Sequence, residues 1–85
     1  APQPRAGSAV TPQGFRLPEG AGCSGAIARY RAVIANDHDT GNVNDTVYRQ
    51  IEGEISSASA ACAAGKDGEA MNLVAASKSR HGYPG

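Results

Sequence analysis

The chain has 85 residues, no formal net charge and two cysteines, and these properties limit its number of domains and its classes of partner. A chain this short supports one small domain. Eight basic residues balance eight acidic ones, which argues against nucleic acid as the main partner, because nucleic-acid-binding domains carry an excess of Lys and Arg. No stretch approaches the roughly 20 apolar residues of a membrane-spanning helix, so we expect no membrane span.

The first 22 residues are predicted to form an extended or flexible N-terminal arm. Residues 1–22 contain four of the five prolines and four glycines. Proline removes backbone donors and glycine raises the entropic cost of order. Phe15 and Leu17 are two of the three large apolar residues of this arm. We take both as candidate contacts to a protein partner, and a mobile tail is the alternative.

Residues 23–85 are predicted to form an all-α domain of three helices. Only 12 residues are Val, Ile, Leu or Phe, whereas 16 are Ala, which favours closely packed helices around a small core. Apolar residues three and four positions apart predict helices over about 24–40, 44–64 and 67–81.

The helix boundaries are predicted from capping residues. Ser24 or Gly25 can begin the first helix, and Gly41 suits the left-handed position after it. Asn44 is a favoured N-cap for the second helix, and Asp67 is the expected cap of the third.

The first two helices predict that Cys23 and Cys62 form a disulfide. An antiparallel hairpin that turns near residues 42–43 places apolar residues opposite each other. The facing pairs are Ile27 with Ala58, Tyr30 with Ile55, and Ile34 with Ile51. The same register brings the two cysteines together, and the bond closes a loop for which chain entropy predicts about 4 kcal/mol of stabilisation. The alternative is two free, buried thiols in a cytosolic protein.

The disulfide and the first residue indicate export. Disulfides persist in secreted and periplasmic proteins, and a chain that starts at Ala rather than Met suits removal of a signal peptide. A trimmed chain would look the same. We therefore expect a secreted or periplasmic protein.

The turn between the first two helices, residues 36–45, resembles the calcium loops of the EF-hand and dockerin families. The resemblance rests on alternating acidic residues, on Gly41 and on Val43 two positions later. With Gly41 at the sixth loop position, the twelfth position holds Val47 instead of the bidentate acid. A polar interhelical turn is the favoured interpretation. The alternative is a weak calcium-like site whose ligands are Asp37, Asp39 and Asp45.

No catalytic or cofactor motif is present, so we predict a protein without enzymatic activity and without a cofactor. His38 and His81 are the only histidines, and the predicted disulfide removes both thiols from nucleophilic or zinc chemistry. Glu52 and Glu54 are two positions apart on a helix and so point to different sides, which does not suit paired acid–base catalysis.

The C-terminal end offers a candidate contact surface. Arg80, His81 and Tyr83 combine cationic groups with an aromatic residue that we expect to be exposed, and Arg and Tyr are frequent binding anchors. A solvated helix end is the alternative. The chain from Cys23 to Pro84 resembles small secreted bacterial proteins in which paired cysteines bracket a helical hairpin and the end reads -RHGYP-. That resemblance implies only export.

Taken together, these patterns predict a small exported interaction module or accessory subunit that binds a larger protein. The alternative function is weak metal-ion binding by the 36–45 turn.

Overall fold

The computed structural model describes residues 15–84, which form three helices joined by two short turns. Helix α1 spans Gly22–Asp39, α2 spans Asp45–Ala63 and α3 spans Asp67–His81. No strand occurs within the described range, and the all-α fold predicted from the sequence is confirmed. None of the helices in residues 15–84 has the length and hydropathy that crossing a membrane requires.

The disulfide between α1 and α2 is confirmed. The sulfurs of Cys23 and Cys62 are 2.02 Å apart, and their Cα atoms are separated by 5.9 Å. Because the bond joins the start of α1 to the end of α2, the two helices are antiparallel. The six apolar residues that the predicted register placed face to face are all buried: Ile27, Tyr30, Ile34, Ile51, Ile55 and Ala58.

Helix α3 packs against both helices of the hairpin. Near the start of both helices, Cys23 of α1 contacts Asp67 of α3. Further along both helices, Tyr30 of α1 contacts Ser77 of α3. Helix α3 therefore runs alongside α1 in the same direction and antiparallel to α2. The inner face of α3 is made of small residues, and Ala70 is fully buried. Small side chains let this third helix approach the hairpin closely.

The helix ends agree with the sequence prediction at some positions and differ at others. Asn44 caps α2 as predicted, and its side chain accepts a hydrogen bond of 2.9 Å from the backbone of Val47. The predicted caps at Ser24 or Gly25 are wrong, because α1 begins earlier and the carbonyl of Ala21 already accepts from Gly25 N. Asp67 is the first residue of α3 rather than its cap; its side chain contacts Cys23 instead.

A short segment precedes α1, and we call residues 15–21 the docked segment. It contains neither helix nor strand. Nη1 of Arg29 donates a 2.7 Å hydrogen bond to the carbonyl of Gly20. Gly25 makes this approach possible, because a Cβ at that position would lie 2.2 Å from the same oxygen. The remainder of the predicted arm, residues 1–14, and Gly85 lie outside the described residues.

Candidate functional site

A cluster of polar side chains joins all three helices near the C-terminal end of α3, with Glu54 at its centre. Glu54 lies on α2 and accepts a hydrogen bond from the hydroxyl of Ser77 on α3. Nε2 of His81 lies 3.1 Å from the same carboxylate, and Nη1 of Arg80 lies 2.9 Å from its other oxygen. Ser77 and His81 are four positions apart and so project from one face of α3.

The hydrogen bonds of this cluster determine the ionisation of Glu54. Burial alone would raise the pKa of the carboxyl group, but hydrogen bonds from Ser77, His81 and Arg80 stabilise the carboxylate and hold the pKa below its usual range. The side chain of His81 is only 10% exposed. The cluster is therefore a partly buried hydrogen-bond network around one carboxylate, with Arg80 at its exposed edge.

Tyr30 extends the cluster to α1. Its hydroxyl lies 2.8 Å from Oγ of Ser77. Because Ser77 uses its single proton toward Glu54, Tyr30 must be the donor to Ser77. Burial raises the pKa of Tyr30, which keeps the phenol protonated for this role. One continuous chain of hydrogen bonds, Tyr30 to Ser77 to Glu54, thus links α1, α3 and α2.

This combination of Ser, His and Glu does not have the geometry of a nucleophilic site. Ser77 and His81 each contact Glu54 rather than each other, so the histidine is not placed to take the serine proton. Ser77 is also only 1% exposed, which keeps a substrate from its hydroxyl. What the cluster can do is position α3 on the hairpin.

Tyr83 is half-buried against the core rather than exposed, contrary to the sequence expectation. Gly82 adopts a left-handed conformation with φ of 79°, and the chain folds back so that Tyr83 N bonds to the carbonyl of Lys78. The ring of Tyr83 then meets that of Tyr30 edge to face at 5.7 Å. The prediction that Tyr83 is exposed is therefore wrong, whereas Arg80 keeps a 54% exposed side chain.

The hydroxyl of Tyr83 also occupies one of the predicted calcium ligands. It donates a 2.7 Å hydrogen bond to Oδ2 of Asp37. Burial, followed by the bond to Asp37, raises the pKa of Tyr83 well above its usual range. The bond ties the end of the chain to the last turn of α1.

The turn at residues 36–45 is held by its own side chains. Nε2 of His38 lies 2.5 Å from Oδ1 of Asp45, and this hydrogen bond lowers the pKa of that carboxyl. The imidazole stacks on the ring of Tyr48 at 4.1 Å. Within residues 15–84, Asp37, Asp39 and Asp45 do not form a group of three ligands within 4.8 Å of one another. The calcium-like site stays a prediction that this geometry does not support.

The surroundings of the disulfide differ on its two sides. Oδ1 of Asp67 lies 3.3 Å from Sγ of Cys23, and since a disulfide sulfur carries no proton this is a contact rather than a hydrogen bond. Cys23, Cys62 and Asp67 are the group of potential metal ligands that the described part of the chain brings together. While the cysteines are bonded to each other they offer no thiolate to a metal ion.

An open groove of about 330 Å³ lies between α1 and α2 on the Cys62 side of the disulfide. Its lining residues are Ser24, Ile27, Ala28, Arg31, Ser59, Cys62 and Ala63. This groove was not predicted from the sequence. The available signal was a set of small side chains near the disulfide, Ser24 and Ala28 on α1 with Ser59 and Ala63 on α2.

Of the five predicted partner contacts, Phe15 and Leu17 lie in the docked segment, and Phe15 is half-buried. Leu17 is 49% exposed, and the other large apolar side chain exposed within residues 15–84 is Met71 at 44%. Comparison of the chain with protein-family models, with curated proteins and with solved structures gives no match.

Proposed function

We propose that the protein is a small exported interaction module, or accessory subunit, which binds a larger protein through its docked segment. The observation that carries the proposal is the state of Leu17. This side chain is 49% exposed in a segment that is itself fixed to α1 by the hydrogen bond between Arg29 and Gly20.

An exposed leucine on an anchored segment is suited to binding. Full burial of an exposed leucine side chain contributes about 1.5–3 kcal/mol, and about half of that remains available to Leu17, which is 49% exposed. A segment already held in place loses less conformational entropy on binding than a freely moving tail. Leu17 therefore offers a partner apolar surface at low entropic cost.

The C-terminal candidates support the proposal less well. His81 and Tyr83 already use their polar groups within the molecule, toward Glu54 and Asp37. Arg80 is exposed but is paired with Glu54. A partner that recruited these residues would have to break existing bonds, so we assign the main contact to Leu17 and a secondary one to Arg80.

Export is supported by the disulfide, because such bonds persist in oxidising compartments. Fractionation of the native cells tests this part of the proposal. The protein is expected outside the cytoplasm, and recovery from the cytoplasm with two thiols that react with iodoacetamide would overturn it.

Site-specific photo-crosslinking in the native cells tests the binding surface. A photoreactive amino acid replaces Leu17 in one variant and Met71 in a control, because these two side chains have similar exposure. The expected result is one discrete protein adduct from position 17 and none from position 71. Identical adducts at both positions, or none at either, would contradict the proposal.

A further inference from the structure

We propose that the disulfide is a site of thiol exchange, at which a small thiol carrying a carboxylate enters the groove and attacks Sγ of Cys62. This reaction is separate from the partner binding proposed above. It would make the bond a modification site as well as a structural link.

The two sulfurs of the disulfide differ in access. Cys62 lines the groove and is partly exposed, whereas Cys23 is 4% exposed. Exchange requires a thiolate to reach one sulfur directly. Cys62, and not Cys23, is among the described residues that line the groove.

Charge beside the disulfide acts on both the attacking and the leaving thiolate. The attacking thiolate is an anion, and the carboxylate of Asp67 lies 3.3 Å from Sγ of Cys23. A thiolate that approached Cys23 would therefore be repelled at short range. The same carboxylate also disfavours the negative charge that leaves on Sγ of Cys23, which slows the exchange. The greater access to Cys62 is therefore what directs the attack.

The exchange balances without an added oxidant or reductant other than the thiol. The thiolate forms a new bond to Sγ of Cys62 while the bond between the two cysteine sulfurs breaks. The electron pair of the broken bond leaves on Sγ of Cys23, which takes a proton from water. The products are a mixed disulfide at Cys62 and a thiol at Cys23.

Arg31 defines the chemical class of the thiol. The groove volume, about 330 Å³, is at the lower end of the range for small-molecule sites. Arg31 is the one charged residue among those lining the groove. Its Nε lies 4.0 Å from Glu52, and the side chain is 47% exposed. A guanidinium so weakly paired can bind a carboxylate, which favours anionic thiols over cationic ones.

Mapping the first adduct tests which sulfur is attacked. The folded protein is mixed with reduced glutathione, quenched with acid at early times, treated with a thiol-blocking reagent and digested with trypsin, which separates the two cysteines. Mass spectrometry is expected to find glutathione on Cys62 and the blocking group on Cys23. Glutathione on Cys23, or an even distribution such as unfolding would give, would overturn the proposal.

The charge preference has its own test with two thiols of similar size, anionic thioglycolate and cationic cysteamine. For each thiol, the rate of disulfide exchange with the folded protein is divided by its rate with the urea-unfolded protein. This division removes the difference in intrinsic reactivity between the two thiols. The expected ratio favours thioglycolate, and Arg31→Gln should reduce it about two- to fivefold, as for an exposed ion pair. Arg49→Gln makes the same charge change away from the groove and should leave the ratio unaltered. An equal effect of both variants, or none from Arg31→Gln, would contradict the assignment of Arg31.

Discussion

Replacing Ser77 by Ala should destabilise the protein, because it removes a buried hydroxyl that links the three helices. Ser77 receives a hydrogen bond from Tyr30 and gives one to Glu54. Both Ser77 and Tyr30 are almost fully buried, at 1% and 2% exposure. Ser77→Ala therefore leaves the Tyr30 hydroxyl inside the protein without its acceptor.

The expected magnitude follows from the burial of that hydroxyl. An unsatisfied buried polar group costs about 1–3 kcal/mol. Glu54 also loses one donor, although His81 and Arg80 remain. The better helix propensity of alanine offsets about 0.5 kcal/mol. The net loss of unfolding free energy should be about 2 kcal/mol, which lowers the melting temperature of a domain this size by roughly 8–16 °C.

Thermal and urea unfolding followed by circular dichroism, with the disulfide intact, provide the measurement. Ser57→Ala is the matched control, since Ser57 lies exposed on α2 and donates only to the backbone of Gly53 at 3.4 Å. It should change stability by less than about 0.5 kcal/mol. Combining Ser77→Ala with Tyr30→Phe removes both partners, so the double variant should recover about 1 kcal/mol relative to additivity. Additive effects, or equal losses for Ser77→Ala and Ser57→Ala, would refute the buried hydrogen-bond chain.

Three further predictions concern pH, calcium and the docked segment. Hydrogen bonds hold the folded-state pKa of Glu54 below its ordinary value, so its carboxylate contributes stability above the unfolded-state pKa that is lost as pH falls through the folded-state pKa. Glu54→Gln should therefore flatten the loss of stability below about pH 5, whereas Glu52→Gln should leave that loss in place. Millimolar calcium should not shift the melting temperature, and a rise that Asp39→Asn abolishes would restore the calcium hypothesis. Gly25→Ala should lower the free energy of unfolding by about 1–3 kcal/mol, because the added methyl displaces Gly20. In the control Gly53→Ala the added methyl meets nothing within 4 Å, so this variant should stabilise α2 by about 0.5–1 kcal/mol. Unfolding midpoints that do not separate the two variants would argue against close packing at Gly25.

The hairpin was predictable from sequence because two independent patterns agreed on one register. The apolar spacing places Tyr30 opposite Ile55, and the same turn brings Cys23 opposite Cys62. A shift of one residue would have buried polar side chains and separated the sulfurs. The start of α1 was less accessible, since its first turn is closed by the backbone of Ala21 rather than by a capping side chain, and backbone bonds of that kind carry no residue signature.

The polar cluster was not predictable by the same means. The spacing of Ala70, Val74 and Ser77 is typical of one inner helix face, but it cannot indicate that Glu54 approaches from another helix. Tyr83 was misassigned because a residue that follows a helix-ending glycine can point outward or fold back. The direction depends on the left-handed turn at Gly82 together with a partner, Asp37, that is distant in sequence. Such contacts depend on how α3 sits on the hairpin, which local sequence does not specify.

The disulfide proposed for thiol exchange and the docked segment proposed for partner binding both contact the first turns of α1. Cys23, whose bond to Cys62 the exchange would open, is two residues from Gly25 and six from Arg29, which hold the docked segment. The Tyr30 hydrogen bonds lie one to two turns further along the helix, so they can keep α3 in place when the bond opens. Opening the disulfide removes the covalent link that holds the first turn of α1 on α2, next to the residues that hold the docked segment. Exchange at Cys62 should therefore loosen the docked segment before it unfolds the molecule, and partner crosslinking from position 17 should fall after glutathione treatment. Crosslinking that persists unchanged in protein carrying the Cys62 adduct would show that the two sites are independent.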